Sequence, residues 1–186
     1  FSSIHFKELS PVIYLLTIQG KDQLGLVEAL ASLVEERGGN WLESRLCRLG
    51  GQFAGIARIE FTSTPADFPS QVQSLTCHWE LVESDPAEEE IDYGKARVDI
   101  LAADRPGIIK QITRLLKAAG ANIEEIESRV KSAPFSGEQM FAARCLVRLS
   151  AATDRVRLAQ QLEGLAEELM CDIDFADQLD GVLVRP

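Results

Sequence analysis

Two segments of this chain repeat the same polar residue types at matched spacing. The first contains Asp22-Gln23-Leu24-Gly25 followed by Asn40, and the second contains Asp104-Arg105-Pro106-Gly107 followed by Asn122. The interval from the glycine to the asparagine is fifteen residues in both segments. Because such self-similarity is typical of duplicated structure, we interpret the chain as two copies of one unit.

Both segments carry groups that suit a small zwitterion. A glycine at a turn allows close approach of the backbone to a ligand and tolerates a positive φ. A helix that begins there offers free N–H groups to a carboxylate. The aspartate offers an anion to an ammonium group, and the asparagine amide both donates and accepts hydrogen bonds. We expect the turn and the asparagine to lie near one edge of the sheet.

The same residues also have purely structural interpretations. Aspartate is a common helix N-cap, proline is favoured at the first helical position, and glycine suits the turn. An asparagine directly after a helix often adopts the left-handed conformation. The pattern alone slightly favours capping for the aspartates and leaves the two roles of the asparagines evenly balanced.

The surrounding pattern predicts the elements that position these residues. Alternating apolar residues predict a strand over 12–20, with Val98 and Ile100 at matching positions in the second copy. Helical spacing follows each turn, at Leu26, Val27, Leu30, Leu33 and Val34 and at Ile108, Ile109, Ile112, Leu115 and Leu116. Gly38-Gly39 and Gly120 are expected to end these helices.

The remainder of each copy completes the pattern. We expect second strands over 41–49 and 123–130, third strands over 53–61 and 141–149, second helices over 69–75 and 158–169, and closing strands over 78–82 and 172–175. The order β-α-β-β-α-β predicts an α+β chain of two ferredoxin-like domains, each an antiparallel four-stranded sheet with helices on one face.

The two copies differ in length between their second and third strands. Aligning Glu43-Ser44-Arg45 with Glu127-Ser128-Arg129 places two inserted residues around Glu124-Glu125 and four in the second hairpin loop, over 132–138. Gly50-Gly51 is expected to form a two-residue primed turn in the first copy.

The repeat sets the expected domain organisation of the 186 residues. We assign an N-terminal extension to 1–10, the first domain to 11–84, an acidic linker to 85–93, the second domain to 94–180 and a tail to 181–186. Residues 1–92 hold six Lys or Arg against fifteen Asp or Glu, while residues 93–186 hold thirteen against fourteen. Such an acidic first half disfavours direct DNA binding, which depends on neutralising phosphates.

The remaining chemistry-bearing residues predict neither an enzyme nor a metal site. Cys47, Cys77, Cys145 and Cys171 lack metal-binding spacing and are expected to be buried small hydrophobes in a reducing cytoplasm. His5 and His78 stand apart from any nucleophile. No apolar run is long enough to span a membrane, and the first residues lack the pattern of a signal peptide. We therefore expect a cytoplasmic protein without a cofactor.

Two further groups of residues each have a structural and a functional interpretation. Trp41 and Trp79 are expected to pack at domain faces, with a protein contact as the alternative. Lys110, Arg114 and Lys117 are expected to form a solvated helix face, with a phosphate or partner site as the alternative.

The second copy resembles a known domain family. A strand, then Asp-Arg-Pro-Gly-Ile-Ile at 104–109, then an amphipathic helix, then Gly-Ala-Asn-Ile at 120–123 resembles the ACT domain of amino-acid-responsive regulators. The first copy departs from this motif, with Gln23-Leu24 in the turn and Trp41 after Asn40. The tandem arrangement, with the segment 40–46 and the hairpin 49–53, resembles the glycine cleavage system transcriptional repressor family over about residues 11–180.

This resemblance implies a non-enzymatic regulator, and more specifically a transcriptional regulator of glycine cleavage or amino-acid metabolism. It would sense a small amino acid, with glycine or serine favoured, and restrain a DNA-binding activator by protein contact. ACT domains commonly pair, which implies a homodimer with amino-acid sites at the seams between paired units. The implied ligand-binding residues are Asp22, Gln23, Leu24, Gly25, Asn40, Asp104, Arg105, Pro106, Gly107 and Asn122. The alternatives are a constitutive assembly module without a ligand and a detached regulatory region of an amino-acid-metabolic enzyme.

Overall fold

The chain forms two compact units, Phe1–Glu90 and Ile91–Pro186, in a computed structural model. The structure describes residues 11–62, 66–73, 75, 77–84, 94–134 and 136–177. The predicted N-terminal extension with His5, the acidic linker and the C-terminal tail therefore lie outside the described residues. No helix among the described residues is both long and apolar enough to span a membrane.

Unit 1 contains four strands and two helices in the predicted order. They are β1 (Val12–Lys21), α1 (Leu26–Glu36), β2 (Gly39–Leu49), β3 (Gln52–Phe61), α2 (Phe68–Gln73) and β4 (His78–Glu83). The strands form one antiparallel sheet in the order β2-β3-β1-β4. Its core packs Leu16 and Ile18 of β1 against Leu30 and Val34 of α1, with Phe68 of α2 completing it.

Unit 2 repeats this arrangement. It contains β5 (Lys95–Ala103), α3 (Ile108–Ala118), β6 (Asn122–Ser132), β7 (Gln139–Arg148), α4 (Arg155–Leu169) and β8 (Asp172–Asp177), with the sheet order β6-β7-β5-β8. Alternate residues of β5, such as Val98 and Ile100, are buried against the apolar faces of α3 and α4. The predicted α+β class and the two β-α-β-β-α-β units are confirmed.

The first hairpin turn is also confirmed. Gly50 and Gly51 have φ values of 58° and 80°, and the pairing of Leu49 with Gln52 leaves only these two residues in the loop. Positive φ at both central residues is what a type I′ turn requires.

The prediction of two inserted residues near Glu124 is wrong. Both units carry a β-bulge at the same place in the second strand, between Trp41 and Glu43 in β2 and between Ile123 and Glu125 in β6. A bulge introduces an unpaired residue without changing the spacing between the two copies. The copies therefore keep one alignment throughout this strand.

This alignment changes which residues correspond. Arg45 pairs with Ile56 in unit 1, and Glu127 pairs with Arg144 at the same position of unit 2. The counterpart of Arg45 is therefore Glu127 and not Arg129, so the two Glu-Ser-Arg triplets are not equivalent. The length difference between the second and third strands therefore lies entirely in the hairpin loop between β6 and β7, since a solvent-facing loop tolerates insertion where a sheet does not.

Two predicted core residues are exposed instead. Val27 lies in the first turn of α1 with 41% of its surface exposed, whereas its counterpart Ile109 packs against the core of unit 2. Cys47 is exposed on the edge strand β2, because the alternation of that strand turns it away from the helices. Cys145 is buried, and Cys77 and Cys171 are half-buried.

Candidate functional site

The two predicted turns join a central strand to the helix that follows it. Gly25 precedes α1 with φ 85°, and Gly107 precedes α3 with φ 97°. A methyl group added at either glycine would meet no heavy atom within 4 Å. The glycines are therefore required by the left-handed backbone and not by crowding, and the space beside each turn is open.

Neither helix is capped by a side chain. The N-cap residues of α1 and α3 are the glycines themselves, with no side-chain hydrogen bond, and Pro106 lies before the first helical residue. The structural interpretation of Asp22 and Asp104 as N-caps is therefore wrong. Within the described part of the chain, the N–H groups of residues 108–110 have no hydrogen-bond acceptor. These donors carry the positive end of the helix dipole and suit an anion.

The turns are fixed to the adjacent hairpins. The backbone N–H of Asp22 donates to the carbonyl oxygen of Gly51 at 3.0 Å, and the N–H of Asp104 donates to that of Gln139 at 2.8 Å. Because the first bond ties its turn to the hairpin between β2 and β3 and the second ties its turn to β7, each helix N-terminus is held in place before any ligand arrives.

The two aspartate side chains differ in their surroundings. The carboxylate of Asp22 forms an ion pair with Arg48 of β2. Asp104 is exposed and has no side-chain partner among the described residues. Val130 occupies the position in β6 that corresponds to Arg48, since Arg48 pairs with Phe53 and Val130 with Phe141. The second turn therefore offers an uncompensated carboxylate, and the first does not.

The second turn also carries a fixed cation. Arg105 donates from Nη2 to the carbonyl oxygen of Leu169, at 2.5 Å, and so binds the C-terminal end of α4. A cation at this end of a helix is stabilised by the helix dipole. In the first turn the corresponding residue is Gln23, followed by the fully exposed Leu24.

The asparagines lie far from the turns of their own units. Val12 pairs with Phe61, which pairs with Gly39, so Asn40 lies beside the beginning of β1. The turn begins beyond Lys21, at the other end of the same strand. Ten residues of strand separate the two ends by about 30 Å. The expectation that they share one edge is wrong, because α1 returns the chain to the start of β1 before β2 begins.

The same separation applies in unit 2, where Lys95 pairs with Arg148 and Arg148 with Asn122. Both Asn40 and Asn122 are exposed, and their side chains have no hydrogen-bond partner among the described residues. Each asparagine is thus available to a ligand or partner, but not to one bound at the turn of its own unit.

A cleft that the sequence did not reveal lies within unit 2, beside the second turn. Its volume is about 360 Å³, and its lining includes Ala103, Met140, Glu167, Met170 and Cys171. Burial raises the pKa of the Cys171 thiol, and the nearby Arg105 partly opposes that rise. In the sequence, the cleft is indicated only by the position of these residues at the ends of the predicted strands and helix of unit 2.

Other predicted candidates stay apart from this region. Lys110, Arg114 and Lys117 are exposed on α3, as predicted for a solvated helix face. His78 is exposed at the start of β4, and Trp41 and Trp79 pack against the core of unit 1. Among the described residues, no group of three or more His, Cys, Asp or Glu side chains is arranged to hold a metal ion.

Comparison with known proteins matches both units to one family. Models of the ACT domain match residues 13–75 and 96–145. The UPF0237 protein MK1213 of Methanopyrus kandleri is 38% identical over 80 residues, which cover 42% of this chain and 82% of that protein.

Two solved structures share the tandem fold. A protein of unknown function from Galdieria sulphuraria has a TM-score of 0.81 and 22% identity, covering 91% of this chain and 100% of its own. The second structure is of a protein for which a role as glycine cleavage system transcriptional repressor has been suggested. It has a TM-score of 0.62 and 15% identity, and the match covers 91% of this chain and 99% of that protein. The chain belongs to the ACT-domain family and carries two ACT domains in tandem.

Proposed function

We propose that this protein is a non-enzymatic regulator that binds a small amino acid, with glycine or serine as the favoured ligand. ACT domains are regulatory modules that typically bind amino acids. The observation that carries the proposal is the uncapped helix N-terminus behind a left-handed glycine, present at both Gly25 and Gly107. Free N–H groups there suit the carboxylate that every amino acid carries.

The second turn is the stronger candidate of the two. Its Asp104 is unpaired among the described residues and is available to the ligand ammonium group, whereas Asp22 already pairs with Arg48. Arg105 lies beside Asp104 and adds positive charge at the turn. A zwitterion that bound here would find an anion for one end and backbone donors for the other.

A ligand that contacts both a turn and an asparagine must be held by two units. The separation of about 30 Å within a unit exceeds the length of any amino acid. We propose that the turn of one unit and the asparagine of another, in the same chain or in a second chain, together form each site. Ligand binding would then favour the paired arrangement of the units. It can do so only if the ligand binds the paired arrangement more tightly than the unpaired one.

We further propose that this pairing controls a protein partner, such as a DNA-binding activator of glycine cleavage or amino-acid metabolism. The charge of residues 1–92 supports contact with protein and not with nucleic acid, since six basic residues stand against fifteen acidic ones. Binding of the amino acid would therefore change the protein surface that contacts the partner.

Thermal unfolding in the presence of each of the twenty amino acids tests the proposal. A ligand that binds only the native state adds about 2.7 kcal/mol at a hundredfold excess over Kd. We expect a rise in Tm with glycine or serine and none with large apolar amino acids. No shift with any amino acid, up to millimolar concentrations, would favour a constitutive interaction module, for which the fully exposed Leu24 beside the first turn is a candidate contact.

A further inference from the structure

Both methionines of the chain line the cleft beside the second turn. Met140 of β7 and Met170, which follows α4, share this volume of about 360 Å³ with Cys171. The sequence of 186 residues contains only these two methionines. Two thioethers and a thiol therefore face one open cavity, and sulfur groups of this kind are the ligands that soft metal ions prefer.

The sheet register explains how the three sulfur side chains come together. Met140 pairs with Ala103 on one side of β5, and Leu101 pairs with Asp172 on the other side. Because β8 is antiparallel to β5, the two residues before Asp172 reach the level of Ala103. Two strand spacings of about 4.8 Å then separate the methionine backbones by roughly 10 Å across the small side chain of Ala103. Methionine side chains are long and have three rotatable bonds, so they can close this gap around one ion.

Met170 has a backbone conformation that methionine rarely adopts. Its φ is 48° and its ψ is 54°, and it is the only residue other than glycine with a positive φ in the described part of the chain. Its N–H donates to the carbonyl oxygen of Glu167 at 3.2 Å, which is the bond that Gly38 forms at the end of α1 and Gly120 at the end of α3. Glycine is the usual residue at this position. A methionine here opposes the backbone preference, which indicates a role for its side chain.

Packing in the core does not supply this role. Met170 has 83% of its surface exposed, and among the described residues the core of unit 2 includes Cys171 at its margin but neither methionine. Glu167 and Asp172 also line the cleft, and their carboxylates favour a cation. Burial raises the pKa of the Cys171 thiol, and Arg105 partly opposes that rise by favouring the thiolate. A cation that binds a thiolate and neutral sulfur groups matches these surroundings.

Unit 1 has the same strand positions without the thioethers. Gln52 and Cys77 occupy the places in unit 1 that correspond to Met140 and Cys171, as the pairings of the central strands show. A cysteine before the last strand is therefore common to both units, whereas the methionines occur in unit 2 alone. Cys77 thus provides a natural control for a thiol at this position without neighbouring thioethers.

We propose that Met140, Met170 and Cys171 bind one Cu⁺ ion through two thioethers and one thiolate. The thiol proton is released to solvent when the ion binds, so the ion and the thiolate neutralise each other. Thioether and thiolate ligands select Cu⁺, whereas Mg²⁺ and Ca²⁺ prefer oxygen ligands. This site does not depend on the amino-acid site proposed at the turns.

Anaerobic competition between the full chain and the chromophoric Cu⁺ chelator bicinchoninate tests the site. We expect the wild-type chain to withdraw one equivalent of Cu⁺ from the chelator. Met140→Leu, Met170→Leu and Cys171→Ser should each weaken this binding by at least about tenfold. Leucine keeps the volume of methionine but removes the sulfur. The matched control is Cys77→Ser, which should bind Cu⁺ like the wild type.

Met170→Gly separates metal binding from folding. Glycine relieves the left-handed backbone, so this variant should have a higher Tm than the wild type in the absence of metal and should still bind Cu⁺ as weakly as Met170→Leu. A wild-type chain that takes no Cu⁺ from the chelator would overturn the proposal. Folded methionine variants that bind like the wild type would also overturn it, since they would show that Cys171 acts as a lone thiol.

Discussion

Asp22 is paired with Arg48, whereas Asp104 in the equivalent turn has no side-chain partner among the described residues, and Val130 takes the strand position that corresponds to Arg48. The two turns have the same backbone geometry but different free charges. In unit 1 the aspartate that precedes α1 is therefore neutralised by an ion pair. In unit 2 the aspartate that precedes α3 has a carboxylate available to a ligand. This difference makes the two proposed sites unequal.

Asp104→Asn should weaken amino-acid binding more than Asp22→Asn does. Removing a charge-assisted hydrogen bond to the ligand ammonium group costs about 1.5–3 kcal/mol, which corresponds to roughly tenfold to hundredfold in Kd. Asp22→Asn should leave Kd nearly unchanged, because its carboxylate is already engaged by Arg48. Calorimetric titration of both variants measures the difference. Equal effects would show that the free carboxylate of the second turn has no special role.

Gly107→Ala should destabilise unit 2 through its backbone alone. The φ of 97° is strained for alanine, while the added methyl group meets no heavy atom within 4 Å. A cost of about 1–2 kcal/mol is expected for a residue held in the left-handed region. The measurement is the free energy of unfolding in urea.

Gly164→Ala is the matched control for this substitution. Gly164 lies inside α4 with open space around it, so the same methyl group should stabilise the unit by about 1 kcal/mol. A loss of stability at both glycines would contradict the backbone explanation and would indicate crowding at both sites.

Arg105→Ala should destabilise unit 2 by about 1–2 kcal/mol. It removes the hydrogen bond to the carbonyl oxygen of Leu169 and a cation from the C-terminal end of α4. Arg114→Ala, on the exposed face of α3, should change the free energy of unfolding by less than about 0.5 kcal/mol. Urea unfolding of the two variants tests the prediction, and it fails if they lose the same stability.

Stability should fall at alkaline pH because of Cys145. Burial, and secondarily the negative charge of Asp99, raises the pKa of this thiol from 9.0 to about 11. The folded state therefore keeps a proton that the unfolded state releases above pH 9. The resulting contribution to stability is complete below the unfolded pKa of 9.0 and is lost as pH rises through about 11.

Cys145→Ala isolates this effect from other alkaline titrations. The free energy of unfolding of the wild type, measured relative to that of the variant, should be constant below pH 9. It should fall as pH rises from 9 to about 11. A difference that stays constant across this window would show that Cys145 titrates normally in the folded protein.

The architecture was predictable because periodicity and duplication report it directly. Alternation in β1 and β5 and helical spacing in α1 and α3 follow from burial on one side of each element. The register was needed to place the length difference between the second and third strands in the hairpin loop, since Glu43-Ser44-Arg45 offers a misleading alignment with Glu127-Ser128-Arg129. Residue types along a strand do not reveal a bulge.

The site was only half predictable. The two turns were found from glycine spacing, and their left-handed conformation agrees with it. Three-dimensional neighbours were not accessible from local patterns. The pairing of Asp22 with Arg48 joins residues 26 positions apart, and that of Arg105 with Leu169 joins residues 64 positions apart. The distance between each turn and its asparagine follows from the direction in which the first helix of each unit returns along the sheet.

The central claim is that an amino acid binds at the glycine turns, and calorimetric titration with glycine and serine tests it most directly. Wild type and Gly164→Ala should bind one of them saturably. Gly107→Asp should remain folded but lose the stronger binding at the second turn, because the new carboxylate occupies the open space and repels that of the ligand. Wild-type affinity in folded Gly107→Asp and in folded Gly25→Asp, or no binding by the wild-type protein, would contradict the account.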